Sequence, residues 1–283
     1  MPLTVSAPAK LNLFLHIVGR TSNGYHQLQS IFQLVDLHDE LSLSLHTQNS
    51  IEFSCSDPEI ESPDNLVVKA AKALQKHCQL TVGARIHLNK KLPMGGGIGG
   101  GSSDAASALL ALNHLWQCQL TIDELADIGL SLGADIPVFI RGRSAWAEGV
   151  GEQLTPVALP EKWYVIIHPK VHVSTALLFA HPELTRDTAK STIRTDLAAL
   201  GHNDFEPLVR KLHPDIDDIF NACLPIAEAK LTGSGSCIFI ATDSESAANI
   251  VKAKLNQTNP ELTTYIAKGL DSSPVHNQLN IQT

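Results

Sequence analysis

Six of the seven residues from Gly95 to Gly101, in the stretch PMGGGIGGGSSDAA, are glycine. Ser102, Ser103 and Asp104 follow at once, then a run of alanines and leucines. Stripping side chains away this densely lets a main chain curl around a bound group. At a helix start, unpaired N–H groups and the helix dipole favour an anion, above all a phosphate. Ser102 and Ser103 would add hydroxyl donors or a metal ligand. Asp104 in the first turn would repel a phosphate unless it faces away or a magnesium ion intervenes. Two other readings stand beside this one. A flexible surface turn is the plain alternative, although glycine-serine linkers do not usually join a strand directly to a patterned helix. Gly95, Gly97 and Gly100 also satisfy GxGxxG, but so glycine-dense a stretch matches many patterns. The acids that should then hold a ribose, Asp123 and Glu124, fall in the first turn of a later helix. The Walker pattern fails because Gly101 stands where its lysine would be. A triphosphate site here would have another design, its cation supplied from elsewhere.

Other residues have types suited to work on such a phosphate. Asp135 in GADIPVF is either a helix cap after Gly133 or an acid at the edge of an apolar run, where desolvation makes a carboxylate a better base. Lys10 in PAKLNL is either a solvated surface lysine or a charge held at the mouth of a strand. LTGSGSCIFI reads as a hairpin turn in which Gly233 and Gly235 supply positive φ, or as a second loop presenting N–H groups to a ligand. Tyr25 and His26, after SNG, form a turn with an aromatic plug and a surface histidine. Alternatively they pair a ring for stacking with an imidazole for hydrogen bonding.

Hydrophobic periodicity indicates what carries these residues. LNLFLHIVG and ELSLSLHTQNSIEFSC read as strands of a half-buried sheet, and ARIHLNKKLPM alternates with Ala84, Ile86 and Leu88 on one face. NLVVKAAKALQKHC is helical. A helix follows the glycines from about Ser102 to Trp116, and another opens with a capping box, Thr121 to Glu124, ending near Gly133. Ile136–Ile140 and SAWAEG suggest further strands. The prolines of LTPVALPEKW mark a boundary near 155–160. Beyond it come a strand (WYVIIHP), helical stretches at 175–180, 195–213 and 215–224, a strand–turn–strand (EAKLTGSGSCIFIAT), a helix (ESAANIVKAKLN) and a last strand (LTTYIAKG). Helices over antiparallel strands in both halves give an α+β class.

Composition narrows the function classes. The chain has 283 residues, 43% hydrophobic and 18% charged, with a formal net charge of −8 and no run of lysine or arginine. That balance argues against non-specific binding of a long nucleic acid, while a nucleotide-sized ligand remains open. The five cysteines are scattered and never in CxxC spacing, which fits a reducing compartment and no cysteine zinc site. The N-terminus lacks a charged region before its apolar stretch, and no segment reaches the roughly twenty apolar residues of a membrane span. A cytoplasmic protein with no membrane association is expected.

In order and spacing these motifs resemble the GHMP kinase superfamily, which includes galactokinase, homoserine kinase and mevalonate kinase. PMGGGIGGGSSDAA is similar to its central motif, APAKLNLFLHIVGRTSNGYHQLQSIFQLVDLHDEL to its N-terminal motif and KLTGSGSCIFI to its C-terminal glycine motif. The resemblance spans roughly residues 5–240. It implies a two-domain α+β fold: an ATP-binding domain over 1–157, like ribosomal protein S5 domain 2, and a ferredoxin-like domain over 158–283. It implies ATP as co-substrate with Mg2+ expected. Pro93, Met94, Gly95, Gly96, Gly97, Ile98, Gly99, Gly100, Gly101, Ser102 and Ser103 would surround the nucleotide, with Asn65 and Lys90 beside the adenosine. Asp135 would take a proton from an acceptor hydroxyl that Lys10 polarises. With LGADIPVFIRGRSAWAEGVGE included, the pattern is similar to the superfamily member acting on a cytidine diphosphate-linked methylerythritol, whose tertiary 2-hydroxyl would be that acceptor. Tyr25 and Phe179 would then clamp the cytosine, His26 would read its edge, and Thr175 and Asn12 would supply polar contacts. Homoserine or mevalonate is the alternative acceptor. A regulatory protein that kept the fold without turnover is the rival of another class, and loss of Asp135 or Lys10 would mark it; both are present.

Overall fold

The computed structural model describes residues 2–22, 24–193 and 201–281. Two long antiparallel strands open the chain, β1 (Leu3–Arg20) and β2 (His26–His46). Next come β3 (Ile51–Cys55), α1 (Leu66–His77), β4 (Gly83–Asn89), α2 (Gly100–Leu115), α3 (Ile122–Leu130) and α4 (Ile136–Arg141). The short strands β5 (Ala145–Glu148) and β6 (Gln153–Pro156) complete the first half. The second half runs through β7 (Trp163–His168), α5 (Thr175–Ala180), α6 (Glu206–Leu212), α7 (Pro214–Cys223), β8 (Lys230–Leu231), β9 (Ile238–Thr242), α8 (Glu245–Thr258) and β10 (Thr263–Leu270). Helix α9 (Pro274–Gln278) follows.

Most of these elements form for reasons that are local. Asn65 caps α1 by accepting from the Val67 N–H at 2.9 Å, and the Thr121–Glu124 box at α3 is formed in both directions. In β4 the apolar set Ala84, Ile86 and Leu88 is buried while Arg85 and His87 face solvent. Ile136–Ile140, expected as a strand, is helix α4. Pro137 sits in its first turn and Gly142, at φ 65°, ends it. Every residue from Ile136 to Ile140 is buried, so the run carries no polar face whose period would identify a helix. The helix expected over 195–213 is Glu206–Leu212, and positions 195–200 lie outside the described residues.

β2 organises the sheet. It pairs with β1, β4 and β5 in the first half, and through Val35–Gly269 and Leu34–Leu270 with β10 of the second. One sheet therefore crosses both halves in the order β3-β4-β2-β10-β7-β9-β8, antiparallel except for β3 beside β4. The expected two-part α+β arrangement is present, and the parts share a core. Ala9, Leu11, Ile31, Val35 and Ile98 from the first half pack with Tyr164, Ile166, Cys237, Phe239 and Ala267 from the second. The chain end crosses back: Val275 and Leu279 of the α9 region fill the first half's core, and Gln278 accepts from the Ser6 N–H at 2.9 Å.

Candidate active site

The glycine loop is built into the seam between the halves. Its one non-glycine residue, Ile98, is buried there, and its carbonyl accepts from the Lys10 N–H at 3.0 Å. The Gly96 carbonyl accepts from the Cys237 N–H, also at 3.0 Å. Gly95, Gly97 and Gly99 have φ between 67° and 74°, which side chains rarely tolerate. Most of the absent side chains make room for the protein itself. A Cβ on Gly96 would lie 2.4 Å from Cys237 Sγ, one on Gly97 2.4 Å from the Thr232 carbonyl oxygen, and one on Gly99 2.8 Å from the Phe139 ring. These glycines therefore serve the protein's own packing, whatever else the loop holds. Gly95 and Gly101 have more room, the nearest atoms to a Cβ there being His172 Nδ1 at 3.4 Å and Leu66 Cδ1 at 3.7 Å, and of the two Gly101 has no positive φ.

Gly99 is also the N-cap of α2, in the left-handed conformation and with no side-chain cap. The first turn of α2 therefore presents its N–H groups and its dipole to the space beyond the loop, an arrangement that attracts anions. Asp104 does not spoil it. The residue is buried and points backwards to Lys90, whose ammonium lies 2.9 Å from Asp104 and 2.5 Å from Asp39. Asp39 also accepts from the Lys91 and Leu92 N–H groups. Burial, and then the nearby Asp39 charge, raise the Asp104 carboxyl from its ordinary 3.8 to about 7, against the opposing pull of Lys90. Ser103, expected at the ligand, is fully buried with no hydroxyl partner among the described residues, whereas Ser102 lines the open side.

Lys10 and Asn12, two apart on β1, share one face beside the loop. The β1–β2 register shifts on both sides of them, between Pro8 and Ala9 and between Asn12 and Leu15. Such bulges re-aim side chains next to functional sites. Lys10 is 3% exposed, so the solvated-lysine reading is excluded. Its ammonium donates to Asn12 Oδ1 at 2.5 Å, sits 4.8 Å from the Phe32 ring centroid and lies 3.5 Å from Asp135 Oδ2. Asn12 is held in turn: its Nδ2 donates to Ser30 Oγ at 2.8 Å and its N–H to Thr232 Oγ1 at 2.9 Å. Asp135 stands at the N-cap position of α4 yet makes no capping bond. The apolar run behind it goes inward, while its side chain stays 38% exposed towards the cleft.

The second half closes the other end. Thr175 starts α5 and its hydroxyl bonds Ser234 Oγ at 2.5 Å, tying α5 to the 232–235 turn. Asn203 braces that turn through the Leu231 and Gly233 carbonyls. Phe179 stacks on His26 with ring centroids 4.5 Å apart and planes 19° apart. Burial, then the charges of Arg20 and Arg186, lower the His26 pKa from its ordinary value, which keeps the ring neutral. Tyr25 is 64% exposed at the rim.

Between these ends lies one cleft of about 1140 Å³. Lys10, Asn12, Tyr25, His26, Asn65, Lys90, Asp135, Thr175 and Phe179 all line it, together with the whole loop from Pro93 to Ser102. Of the residues expected at the site, Ser103 alone is turned away. Asn65 and Lys90 reach the wall with their polar heads engaged, Asn65 by the α1 cap and the Ile60 carbonyl, Lys90 by its two carboxylates. Phe179 meets His26 face to face, so one face of the ring expected to clamp a base with Tyr25 is already covered. Asp39, Thr232 and Arg186 carry weight at this site without belonging to any pattern of spacing. Asp39 sits within HDEL in the long N-terminal motif, which offered no chemical reason to single it out.

Comparison with known proteins is consistent with this geometry. Residues 65–143 match the GHMP kinases N terminal domain, and residues 185–261 match the GHMP kinases C terminal domain. The 4-diphosphocytidyl-2-C-methyl-D-erythritol kinase of Pseudomonas syringae pv. tomato is 50% identical over 279 residues, covering 99% of this chain and 98% of the relative. The enzyme of the same name from Mannheimia succiniciproducens is 46% identical over 272 residues, covering 96% and 89%. Among solved structures, a crystal structure of 4-(cytidine 5'-diphospho)-2C-methyl-D-erythritol kinase superposes with a TM-score of 0.81 at 30% identity, covering 94% of this chain and 98% of that one.

Proposed function

This chain belongs to the GHMP kinases, and on that footing we propose that it transfers the γ-phosphoryl group of ATP to the 2-hydroxyl of 4-diphosphocytidyl-2-C-methyl-D-erythritol. The products are the 2-phosphate and ADP, a step in the methylerythritol phosphate route to isoprenoid precursors. The observation that carries the reading is the placement of Lys10 and Asp135, 3.5 Å apart, between an anion-attracting helix start and an aromatic stack. Relatives sharing about half of its residues bear that enzyme's name.

Phosphoryl transfer asks for alignment and charge stabilisation more than for covalent chemistry. In this reading the ATP phosphates lie over the loop and the first turn of α2, and the acceptor hydroxyl lies between Lys10 and Asp135. The Asp135 carboxylate takes the hydroxyl proton as the new O–P bond forms and the γ-phosphoryl leaves ADP. Lys10 donates to the hydroxyl oxygen and then balances charge on the transferring group. Asn12 contributes by holding Lys10, since its amide is already committed. Mg2+ enters with the nucleotide. No cluster of three ligating side chains occurs among the described residues, and Asp104 is taken by Lys90. The phosphates and the Ser102 hydroxyl would be its ligands, as suits an ion usually shared between few protein groups and substrate phosphates. It would neutralise phosphate charge. At the far end the cytosine packs on Tyr25 beside the His26–Phe179 stack, and His26 meets its edge. In this reading residues 1–157 are the ATP-binding domain and 158–283 the second domain, with Val275 and Leu279 packed back into the first half's core. A cytoplasmic location suits the scattered cysteines, all of them free.

Release of ADP from ATP and Mg2+ should be followed with this substrate, with homoserine and with mevalonate. The reading expects turnover with the first alone, and turnover of either other acceptor in its place contradicts it.

Gly101 offers a clean test of the cradle. Gly101→Ala adds a methyl group at an ordinary contact distance from Leu66 Cδ1, 3.7 Å, and should leave stability equal or higher by ~0.5–1 kcal/mol. ATP affinity should fall about tenfold, the worth of one charge-assisted hydrogen bond disturbed. Gly97→Val is no such test, because its side chain would collide with Thr232 and Gly235 and disturb the seam. Calorimetric titration with ATP separates the two, and an unchanged affinity in folded Gly101→Ala counts against the cradle.

Base stacking predicts a second effect. A base on an aromatic platform is worth roughly 1–3 kcal/mol. Tyr25→Ala should therefore raise KM for the cytidylated substrate about five- to a hundredfold, with KM for ATP nearly constant. An equal rise in both would show that Tyr25 serves the cleft generally.

A further inference from the structure

Arg186 belongs to none of the motifs and has no ion pair among the described residues, yet four of its five guanidinium N–H groups are used. Nη1 donates to the Leu184 carbonyl at 2.9 Å, and Nη2 to the carbonyls of Phe179 and His181 at 2.9 and 2.6 Å. Its Nε–H donates to His26 Nε2 at 3.2 Å. A guanidinium carries donors only and stays charged wherever the protein is folded. The imidazole nitrogen facing it must therefore be an acceptor, so the proton of the neutral ring resides on Nδ1. Nδ1 has no partner among the described residues, and His26 lines the cleft. Arg186 thus grips both members of the stack, His26 by its ring and Phe179 by its carbonyl.

We infer that Arg186 is a positioning residue for base specificity: by locking His26 in the Nδ1–H tautomer, it presents a fixed donor to the acceptor edge of a cytosine. The inference rests on the cytidine reading above. Both bases carry the O2 carbonyl, but cytosine has a lone pair at N3 where uracil has N3–H, so a donor set opposite N3 tells them apart. A ring free to exchange tautomers could serve either base, giving Nδ1–H to cytosine or an Nδ1 lone pair to uracil. The locked ring opposes its N–H to that of uracil, leaving two donors unpaired. Selectivity then comes from a built-in repulsion as well as from an attraction.

The test uses the full chain labelled with 13C and 15N at histidine, as wild type, His26→Gln to assign the His26 signals, and Arg186→Met. Wild-type His26 should show a protonated Nδ1 and a bare Nε2; Arg186→Met should show the other tautomer or a mixture. CMP and UMP binding is then measured for wild type and Arg186→Met. The CMP-over-UMP ratio should shrink about ten- to a hundredfold in the variant, the discrimination of a well-made base contact. A merely structural arginine would weaken both nucleotides alike and leave the ratio unchanged, which overturns the inference. Nε2–H in wild-type His26 overturns it too, and that measurement needs no variant to fold. Equal binding of CMP and UMP by wild type sinks the cytidine reading and the specificity role with it, while the spectrum still reports separately whether Arg186 sets the tautomer.

Discussion

Asp135→Asn is expected to lower turnover by about 10²–10⁴, the usual worth of a general base, while ATP affinity stays nearly intact. The amide keeps the size of the carboxylate and a carbonyl oxygen near Lys10, so the cleft retains its shape and loses only the group that accepts the proton. A tertiary hydroxyl is crowded and weakly acidic, so the absence of a base is felt strongly. The geometry adds a second expectation. Lys10 lies 3.5 Å from Asp135 and acts on the same hydroxyl. Lys10→Met should cost a similar factor, and the double variant little more than either single one, as for residues acting as a unit. Single-turnover rates and ATP titrations on the three variants check this. If ATP affinity collapses in step with rate in Asp135→Asn, the carboxylate is holding the nucleotide or the architecture and is no base.

The second large effect concerns stability. Lys90 neutralises Asp39 and Asp104, both almost wholly buried. Lys90→Met should destabilise the fold by ~3–5 kcal/mol, because removing one partner strands buried charge. The sign of its pH dependence follows from Asp104. Its folded carboxyl titrates at about 7 against the ordinary 3.8. Between those values the folded state holds a proton that the unfolded chain has released, so this group's contribution to stability falls as pH rises through the window. Lys90 lowers that carboxyl, so removing it moves Asp104 further towards the protonated form. Denaturant unfolding should therefore show the gap between Lys90→Met and wild type narrowing from pH 8 to pH 5. A gap independent of pH would mean that the loss is one of packing.

Much of this site was legible because its signals are local. Glycine density before a patterned helix, a capping box and the alternation of β4 each act over a few residues, and each formed as expected. Contacts between distant segments were not legible. Gly96 and Gly97 are bare because Cys237 and Thr232 pack on them, and nothing near residue 96 announces that. Lys90 reads as a neighbour of the adenosine and Asp104 as an acid that must turn away or meet a metal, and the fold pairs them with each other and with Asp39. α4 was taken for a strand because a helix buried all round has no polar face. Asp135 drew attention as an acid beside that run, but only the fold shows its side chain free of capping and turned to Lys10. Arg186 has no spacing pattern around it, since its role comes from three carbonyls and one imidazole nitrogen.

The most direct test of the central claim is to identify the product by 31P NMR after incubating the protein with ATP, Mg2+ and 4-diphosphocytidyl-2-C-methyl-D-erythritol. The account predicts one new phosphomonoester on the tertiary 2-hydroxyl, an intact cytidine diphosphate linkage and one ADP per ester formed. A phosphate on any other hydroxyl, cleavage of the diphosphate, or ADP released with no new ester would contradict it.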